Sequence, residues 1–183
     1  MTMKNTNKFT VSTRLLELVK EFEGFRAKAY KCVGGALTVG YGHTGKDVTS
    51  TTTVTRQEAL DLLNKDLLRV GSEIAAMANR QQVTLTHNRI EALTSLAFNI
   101  GTDSLFKSTL WRKIIIDPDD ASIETQFNRW VYANKVRQPG LVNRRRREYE
   151  LYSLQNYLHE ENSYHAINGN DRLLHCALQS CKN

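Results

Sequence analysis

Residues 23–44 read EGFRAKAYKCVGGALTVGYGHT, and the periodicity of the chain changes in this stretch. Before it, from Thr13 to Glu23, apolar residues recur at i, i+3, i+4 and i+7, which is the pattern of one buried helix face. From Ala29 to Tyr41, short runs of β-branched and aromatic residues surround a glycine pair, which predicts an antiparallel hairpin. We therefore predict a helix that ends at Gly24 and is followed by a small sheet.

Helical periodicity returns after the sheet. Thr55 and Glu58 have the spacing of a capping box, which predicts the start of a helix after the Thr-rich connection at 49–55. The predicted helical faces are Leu60, Leu63, Leu67 and Val70; Ile90, Leu93, Ala97 and Ile100, stopped by Gly101; Leu105 to Ile115; Ile123, Phe127 and Trp130; and a last helix through Arg144 to about Leu158. This order predicts an α+β fold with a small antiparallel β lobe, a larger helical lobe and a cleft between them.

The composition limits the classes of protein to which this chain can belong. With 40% apolar residues and no run near the roughly 18 that a membrane span needs, we expect a soluble protein. The first twelve residues lack the apolar region of a secretory signal, so we expect it to accumulate in the cytoplasm. The net charge of +6 suits an anionic partner, and nucleic acid, acidic lipid and cell wall all qualify.

Three cysteines are too few for a disulfide scaffold in 183 residues. Cys176 and Cys181 can pair if they are oxidised, whereas Cys32 lies far from them in the sequence. Their spacing lacks the second Cys or His pair of a zinc module, so we expect no structural metal.

The segment from Glu23 to Thr44 resembles the active-site segment of the phage lysozyme and endolysin family, glycoside hydrolase family 24. In that family a Glu at the end of the first helix is followed nine positions later by an Asp or a Cys, and six further on by a Thr. Those positions are Glu23, Cys32 and Thr38 here. The likeness continues in the FNIG run that ends at Gly101, and in the FNRW and PGLVNRR runs between residues 127 and 145.

The resemblance implies a lysozyme-like fold and a muramidase. Its substrate would be the β-1,4 bond between N-acetylmuramic acid and N-acetylglucosamine, and no metal or organic cofactor is implied. It spans roughly residues 13–155. We expect a catalytic domain at 1–158 and a C-terminal appendage at 159–183, whose order the sequence leaves open.

The chemistry of the reaction agrees with Glu23 as the acid. Glycoside cleavage needs a proton for the leaving oxygen and a second group on the other face of the sugar. Glu23 ends a predicted helix, where the negative end of the macrodipole disfavours an ionised carboxylate, as a general acid requires. The alternative is a solvated carboxylate at a helix end, which is the usual situation of a Glu.

Cys32 replaces the commoner family Asp. Only a few per cent of an ordinary thiol is ionised at pH 7, so it would be a poor general base. The resemblance implies an inverting reaction in which Cys32 and Thr38 hold the attacking water. A thiolate nucleophile, favoured by Lys31 or Arg26, and a buried inert cysteine are the alternatives.

Four further residues are candidate substrate contacts. Gly42 and Thr44 are expected to line the cleft, where a missing side chain lets a sugar approach the backbone. Phe98 and Asn99 are expected to form the opposite wall. For His43, we expect a structural role, held by hydrogen bonds within the lobe, rather than a role as catalytic base.

Residues 143–148 read NRRRRE, which could indicate a nucleic-acid site. Four successive arginines point around most of a helix, so no more than two share one face. Because aromatic platforms are absent beside them, we predict a solvated, partly ion-paired helix that meets the cell wall or the cleft edge.

The expected partner is bacterial peptidoglycan, with no nucleic acid and no stable membrane insertion. We expect a monomer that is made in the host cytoplasm and reaches the wall across the inner membrane with the help of a holin. A weakly active or inactive cell-wall-binding module on the same fold, suggested by Cys32, is one alternative. A basic helical nucleic-acid-binding protein is the other, and phage lysis and bacterial competition both stay open as contexts.

Overall fold

The computed structural model describes residues 8–32 and 35–154. The β lobe contains β1 (Arg26–Lys31), β2 (Leu37–Gly40) and β3 (His43–Thr44). The helices are α1 (Thr13–Glu23), α2 (Arg56–Arg80), α3 (His87–Ile100), α4 (Thr102–Lys107), α5 (Thr109–Ile116), α6 (Ile123–Phe127) and α7 (Pro139–Ser153), and a hairpin of β4 (Tyr132–Ala133) and β5 (Val136–Arg137) precedes the last of them. The predicted α+β architecture, with a small antiparallel sheet and a helical lobe, is confirmed.

The first helix, α1, ends where the sequence predicted. The Ser12 hydroxyl accepts a hydrogen bond from the backbone N–H of Leu15 and caps its start. At the other end, Gly24 has a φ of +67°, a left-handed conformation that favours glycine and stops the helix. Glu23 is therefore the last helical residue, placed at the entrance to the sheet.

The three strands form one antiparallel sheet in the order β1-β2-β3. Tyr30 pairs with Thr38, and Thr38 pairs in turn with Thr44, so Thr38 lies in the middle strand. The hairpin predicted between Ala29 and Tyr41 is confirmed, although residues 33 and 34 of its turn lie outside the described chain. The Thr-rich connection makes two backbone hydrogen bonds with β1, from the N–H of Ala29 to the carbonyl of Thr52 and from the N–H of Val54 to the carbonyl of Ala27.

Helix α3 is central to the helical lobe, where it packs against α2 and α7. The predicted capping box of Thr55 and Glu58 is present at the start of α2, and Gly101 ends α3 as predicted. Two buried clusters result. One fills the helical lobe around Leu93, Leu96 and Trp111, and the other joins α1, α2 and the sheet.

The predicted helix over Leu105–Ile115 was wrong, because two helices occupy this range. Ser108 has an extended backbone and separates α4 from α5. Its hydroxyl donates to the carbonyl of Leu105 and accepts from the N–H of Trp111, so it ends one helix and caps the next.

Two other predicted helices extend less far than expected. Helix α6 ends at Phe127, so Trp130 does not lie on it. The sequence analysis missed the β4–β5 hairpin, whose turn has positive φ at Asn134 and Lys135. Helix α7 ends at Ser153 instead of about Leu158, and residues 155–183, with the predicted appendage and both tail cysteines, lie outside the described chain.

Candidate active site

Glu23 lies where the two lobes meet. Its side chain is 21% exposed, and Gly42 of the β lobe faces it. A Cβ atom at Gly42 would lie 3.5 Å from Glu23 Oε2 and 3.3 Å from Cε1 of Phe98. With its φ of +92°, Gly42 is well suited to this position, because a side chain there would be strained and would fill the space in front of the carboxylate.

A cavity of about 240 Å³ lies next to this contact. Gly42 and Thr44 line it from the β lobe, and Phe98 lines it from α3. Its other lining residues come from α2, α3 and the start of α4: Asp66, Arg69, Val70, Ala97, Gly101 and Thr102. The structure thus brings three of the four candidate substrate contacts to one cavity between the lobes.

Asn99, the fourth candidate, does not line this cavity. Its side-chain oxygen accepts a hydrogen bond of 3.1 Å from Nη2 of Arg145. The Asn99 side chain is therefore hydrogen-bonded to a residue of α7.

Cys32 and Thr38 lie close together at the turn end of the β1–β2 hairpin. The N–H of Cys32 donates to the carbonyl oxygen of Ala36 at 2.9 Å, and the Thr38 hydroxyl donates to the same oxygen at 3.4 Å. Thr38 is buried and Cys32 is half-buried. Neither residue lines the 240 Å³ cavity.

Arg144, which the sequence analysis did not single out, holds the other side of Glu23. Its Nη1 donates to Glu23 Oε1 at 2.6 Å, while its Nε donates to Glu148 Oε1 at 3.1 Å. Its Nη2 donates to the carbonyl of Ser95 at 3.1 Å. Because this guanidinium is buried and bonded through three nitrogens, it fixes the position of Glu23 Oε1.

Glu148 is fully buried and receives several donors. The hydroxyl of Ser95 donates to its Oε1 at 2.7 Å, and Nε of Arg145 lies 2.9 Å from its Oε2. Burial raises the pKa of Glu148, against the opposing charges of Arg145 and Arg144. Burial also lowers the pKa of Arg145, to about 10, while the charge of Glu148 opposes this.

The prediction of a solvated arginine run was wrong for half of the run. Arg144 and Arg145 are buried in α7, whereas the side chains of Arg146 and Arg147 are 67% and 38% exposed. The helical rotation of about 100° per residue divides the four arginines between two faces. Glu148 follows Arg144 by four positions and Arg145 by three, but Glu150 follows Arg146 and Arg147 at the same spacings, so this pattern does not indicate which pair is buried.

His43 is held between two carboxylates. Its Nδ1 lies 2.7 Å from Oδ2 of Asp66, and its Nε2 lies 3.2 Å from Oδ2 of Asp47. Burial lowers the pKa of His43, but the hydrogen bonds and charges of Asp66 and Asp47 outweigh this and raise it above its ordinary value. These contacts connect β3 to α2 and give His43 the hydrogen-bonded position that the sequence analysis expected.

Within residues 8–32 and 35–154, no three His, Cys, Asp or Glu side chains come together as metal ligands could. In the same ranges, no helix combines the length and the apolar character that crossing a membrane requires.

The known proteins that are similar to this chain include the following three. An endolysin of Acyrthosiphon pisum secondary endosymbiont phage 1 is 35% identical over 147 residues, which are 78% of this chain and 97% of the relative. An SAR-endolysin of bacteriophage PS119 is 40% identical over 129 residues, covering 70% and 75%. The solved muramidase domain of SpmX from Asticaccaulis excentricus superposes with a TM-score of 0.70 at 28% identity, covering 80% of this chain and 99% of that domain.

The fold, the carboxylate in the cleft and these likenesses together define a peptidoglycan-degrading glycoside hydrolase of the muramidase class. The model of the phage lysozyme family matches residues 20–148. The chain belongs to the phage lysozyme family.

Proposed function

We propose that Glu23 is the general acid in hydrolysis of the β-1,4 bond between N-acetylmuramic acid and N-acetylglucosamine in peptidoglycan. One observation carries this assignment. The Glu23 carboxylate lies between the lobes with Oε1 bonded to the buried Arg144, while Oε2 points toward Gly42 and Phe98.

The two oxygens of Glu23 then have separate tasks. Oε1 is the anchored atom, because the Arg144 guanidinium already donates to it. Oε2 lies on the side of Gly42, where the absent side chain leaves room for a sugar, so it carries the proton to the leaving glycosidic oxygen. A fixed carboxylate loses little orientational freedom when it transfers that proton.

Cys32 and Thr38 hold the water that attacks the other face of the sugar. Their backbone and hydroxyl donors converge on the carbonyl of Ala36, which supports a common site for the two residues. An inverting hydrolysis needs a water between the acid and the group opposite it. A thiol orients this water by hydrogen bonding rather than by removing its proton completely, since an ordinary thiol is mostly protonated at pH 7.

The glycan strand lies along the cavity between the lobes. Gly42 and Thr44 contact it from the β lobe, and Phe98 contacts it from α3, as their positions in the cavity lining support. Asn99 is an exposed residue outside this lining and contacts the strand at its edge, while its side-chain oxygen accepts from Arg145.

The biological role is lysis of a bacterial host by a phage. The support is that two of the proteins compared above are an endolysin and an SAR-endolysin of phages. The enzyme is made in the host cytoplasm and cleaves the wall after release across the inner membrane, aided by a holin. It acts as a monomer, and its catalytic domain spans residues 1–158, consistent with the family match over 20–148.

The substitution Glu23→Gln tests the acid. The amide keeps the shape of the side chain but cannot donate a catalytic proton, so lysis of peptidoglycan should fall by roughly two to four powers of ten. Turbidity loss of purified walls measures the rate, and circular dichroism verifies the fold. The matched control is Glu21→Gln, because the exposed Glu21 lies on the same helix and pairs with Arg147 instead of Arg144.

Two outcomes would contradict the assignment. If Glu23→Gln lyses walls within a few-fold of the parent, another group supplies the proton. If the parent binds walls but never lyses them, the chain is the cell-wall-binding module that the replacement of Asp by Cys32 suggests.

A further inference from the structure

The β4–β5 hairpin lies between α6 and α7, and every residue from Tyr132 to Arg137 is exposed. Tyr132 pairs with Arg137, and Ala133 pairs with Val136, so these two pairs face opposite sides of the ribbon. Because residues on both sides are exposed, the helical lobe covers neither face, and the hairpin projects from the surface. None of its residues lines the cavity beside the active site, and the proposed reaction uses none of them.

The base of the hairpin is fixed. Val131, which directly precedes β4, is buried, and its carbonyl oxygen accepts a hydrogen bond of 2.8 Å from the backbone N–H of Gln138. Helix α7 begins at the next residue, Pro139. The projecting residues are therefore held on a hydrogen-bonded base between a buried residue and a long helix.

Two large apolar side chains are exposed on the hairpin, one on each face. Tyr132 is 60% exposed and Val136 is 59% exposed. A flat partner that lies against one face covers only one of these side chains. A layer that surrounds the end of the ribbon covers both, and the headgroup region of a bilayer is such a layer. Tyr rings are enriched at this level of a membrane, where the ring is buried and the hydroxyl stays hydrated.

The same hairpin carries two cations, Lys135 and Arg137. In the described part of the chain, neither of them forms an ion pair with a carboxylate. The sequence contains no Asp or Glu between residues 125 and 147. Positive charge beside exposed apolar side chains is the combination that anionic lipid surfaces attract.

The turn holds Lys135 at the tip of the hairpin in a conformation that favours another residue. Asn134 has a φ of +50° and Lys135 a φ of +63°. Two-residue turns with positive φ at both positions are most often Asn-Gly, because glycine adopts this conformation without a steric cost. The geometry of the turn therefore does not explain a lysine here, whereas an anionic partner does.

We propose that the β4–β5 hairpin is a membrane-contact site that binds the headgroup layer of an anionic phospholipid bilayer. Lys135 and Arg137 pair with lipid phosphates, and Tyr132 and Val136 enter the boundary between headgroups and acyl chains. The binding is peripheral, because these strands are shorter than the roughly nine to eleven residues that a membrane-spanning strand needs. It requires no hydrolysis, so it is a second activity beside the one assigned to Glu23.

Cosedimentation with vesicles tests the charged part of the site. The full chain should bind vesicles of equimolar phosphatidylethanolamine and phosphatidylglycerol at least about tenfold more tightly than vesicles of phosphatidylcholine alone. The double variant Lys135→Gln/Arg137→Gln should weaken binding to the anionic vesicles by roughly tenfold or more. The matched control is Lys65→Gln/Arg80→Gln, which makes the same charge change at exposed residues of α2 and should cost about threefold or less.

A second pair of variants tests the apolar part. Tyr132→Ser/Val136→Thr should also weaken binding to the anionic vesicles by roughly tenfold, with the charge unchanged. The control is Ile116→Thr, because Ile116 at the end of α5 is 86% exposed and lies outside the hairpin. In a Tyr132→Trp protein, tryptophan emission should shift to shorter wavelength when these vesicles are added, and in Ile116→Trp it should not.

The single variant Lys135→Gly separates binding from folding. Glycine relieves the left-handed conformation, so its Tm should not fall, while its binding to anionic vesicles should weaken. An unchanged affinity in this variant would show that the lysine does not contact the membrane.

Three further outcomes would overturn the proposal. They are equal binding to phosphatidylcholine vesicles, equal losses in the hairpin variants and their controls, and a loss in the charge variant without a loss in the apolar variant. The last outcome would make the hairpin a general site for polyanions, including nucleic acid. Because the vesicles contain no peptidoglycan, failure of the proposed hydrolysis would leave these results unchanged.

Discussion

Each carboxylate oxygen of Glu23 has a defined neighbour. Oε1 is bonded to Arg144, and Oε2 lies opposite Gly42, so the side chain has one anchored end and one end toward the cavity. Neither neighbour comes from the helix that carries Glu23. A glycine and an arginine far apart in the sequence thus turn a helix-end carboxylate into a candidate acid.

At Cys32, substitution separates the roles that the thiol can have. If the thiol orients water, Cys32→Ala should lose a large share of the lytic activity and Cys32→Asp should recover much of it. The acidic limb of the pH–rate profile should extend lower in the Asp variant, because an Asp ionises near pH 4 and a thiol near 8.5. The measurement is wall turbidity across pH.

Alkylation provides the control for this comparison. A thiol reagent should inactivate the parent and spare Cys32→Asp, and both proteins contain Cys176 and Cys181. Should Cys32→Ala match the parent, Cys32 is a packing residue and water activation belongs to Thr38 or another group.

His43 gives a prediction for stability against pH. Because Asp66 and Asp47 raise its pKa above 6.5, its ion pairs stabilise the fold fully below about pH 6.5 and lose this contribution as pH rises through the raised value. The Tm difference between the parent and Asp66→Asn should be larger at about pH 5.5 than at about pH 9. An NMR titration of the His43 ring that places its pKa below 6.5 would contradict the argument.

At the scale of elements, α7 connects the active site to the core. Its Arg144, Arg145 and Glu148 are buried against α3, and Ser95 of α3 donates to Glu148. The spacing of three and four residues places these side chains on one helical face, so the carboxylate of Glu148 lies within 3.1 Å of one guanidinium and 2.9 Å of the other. The outer face of the same helix carries Arg146 and Arg147 toward solvent.

The substitution Glu148→Gln should destabilise the protein by about 3 to 5 kcal/mol, because it leaves buried guanidiniums without their shared counter-charge. Urea denaturation followed by circular dichroism measures the loss. The control is Glu150→Gln, whose pair with Arg146 is 3.8 Å apart and exposed, and this variant should change stability by less than about 1 kcal/mol. Similar effects of the two variants would show that the buried network adds little.

On the scale of the whole molecule, the cavity beside Glu23 exists because two cores meet there. One core joins α1, α2 and the sheet, and the other fills the helical lobe. Residues of the sheet and of α2, α3 and α4 line the space between them. Helix α1 therefore places Glu23 at a boundary that is formed by segments far apart in the sequence.

A chain stopped after residue 158 should keep the activity and the Tm of the full chain within a few degrees. The buried residues Leu151 and Tyr152 of α7 and the whole family match precede that point. Turbidity assays and thermal denaturation of both proteins provide the comparison. A truncated chain that unfolds or aggregates would show that the domain extends into 159–183.

The sequence by itself determined the local elements of this protein and the candidate acid. Some features depend on contacts within a few residues, so they can be predicted directly from the sequence. They are the helical periodicity, the Thr55–Glu58 capping box and the end of α3 at Gly101. The boundary between α4 and α5 was missed because the apolar pattern continues across Ser108. The hydroxyl of Ser108 nevertheless ends one helix and caps the next. The family motif identified Glu23 because the motif is defined by residue types at fixed spacings along the chain.

Only the tertiary structure decided what surrounds Glu23. Arg144 lies 121 positions away in sequence, and no local pattern distinguishes the two buried arginines of the run from the two exposed ones. Their burial depends on which face of α7 packs on α3, and that choice follows from the assembled core. The same holds for a cavity of about 330 Å³ on the helical lobe, whose lining comes from α4, α5, α6 and the residues after α6. Pairings across the fold depend on long-range packing, which the order of residues along one helix does not specify.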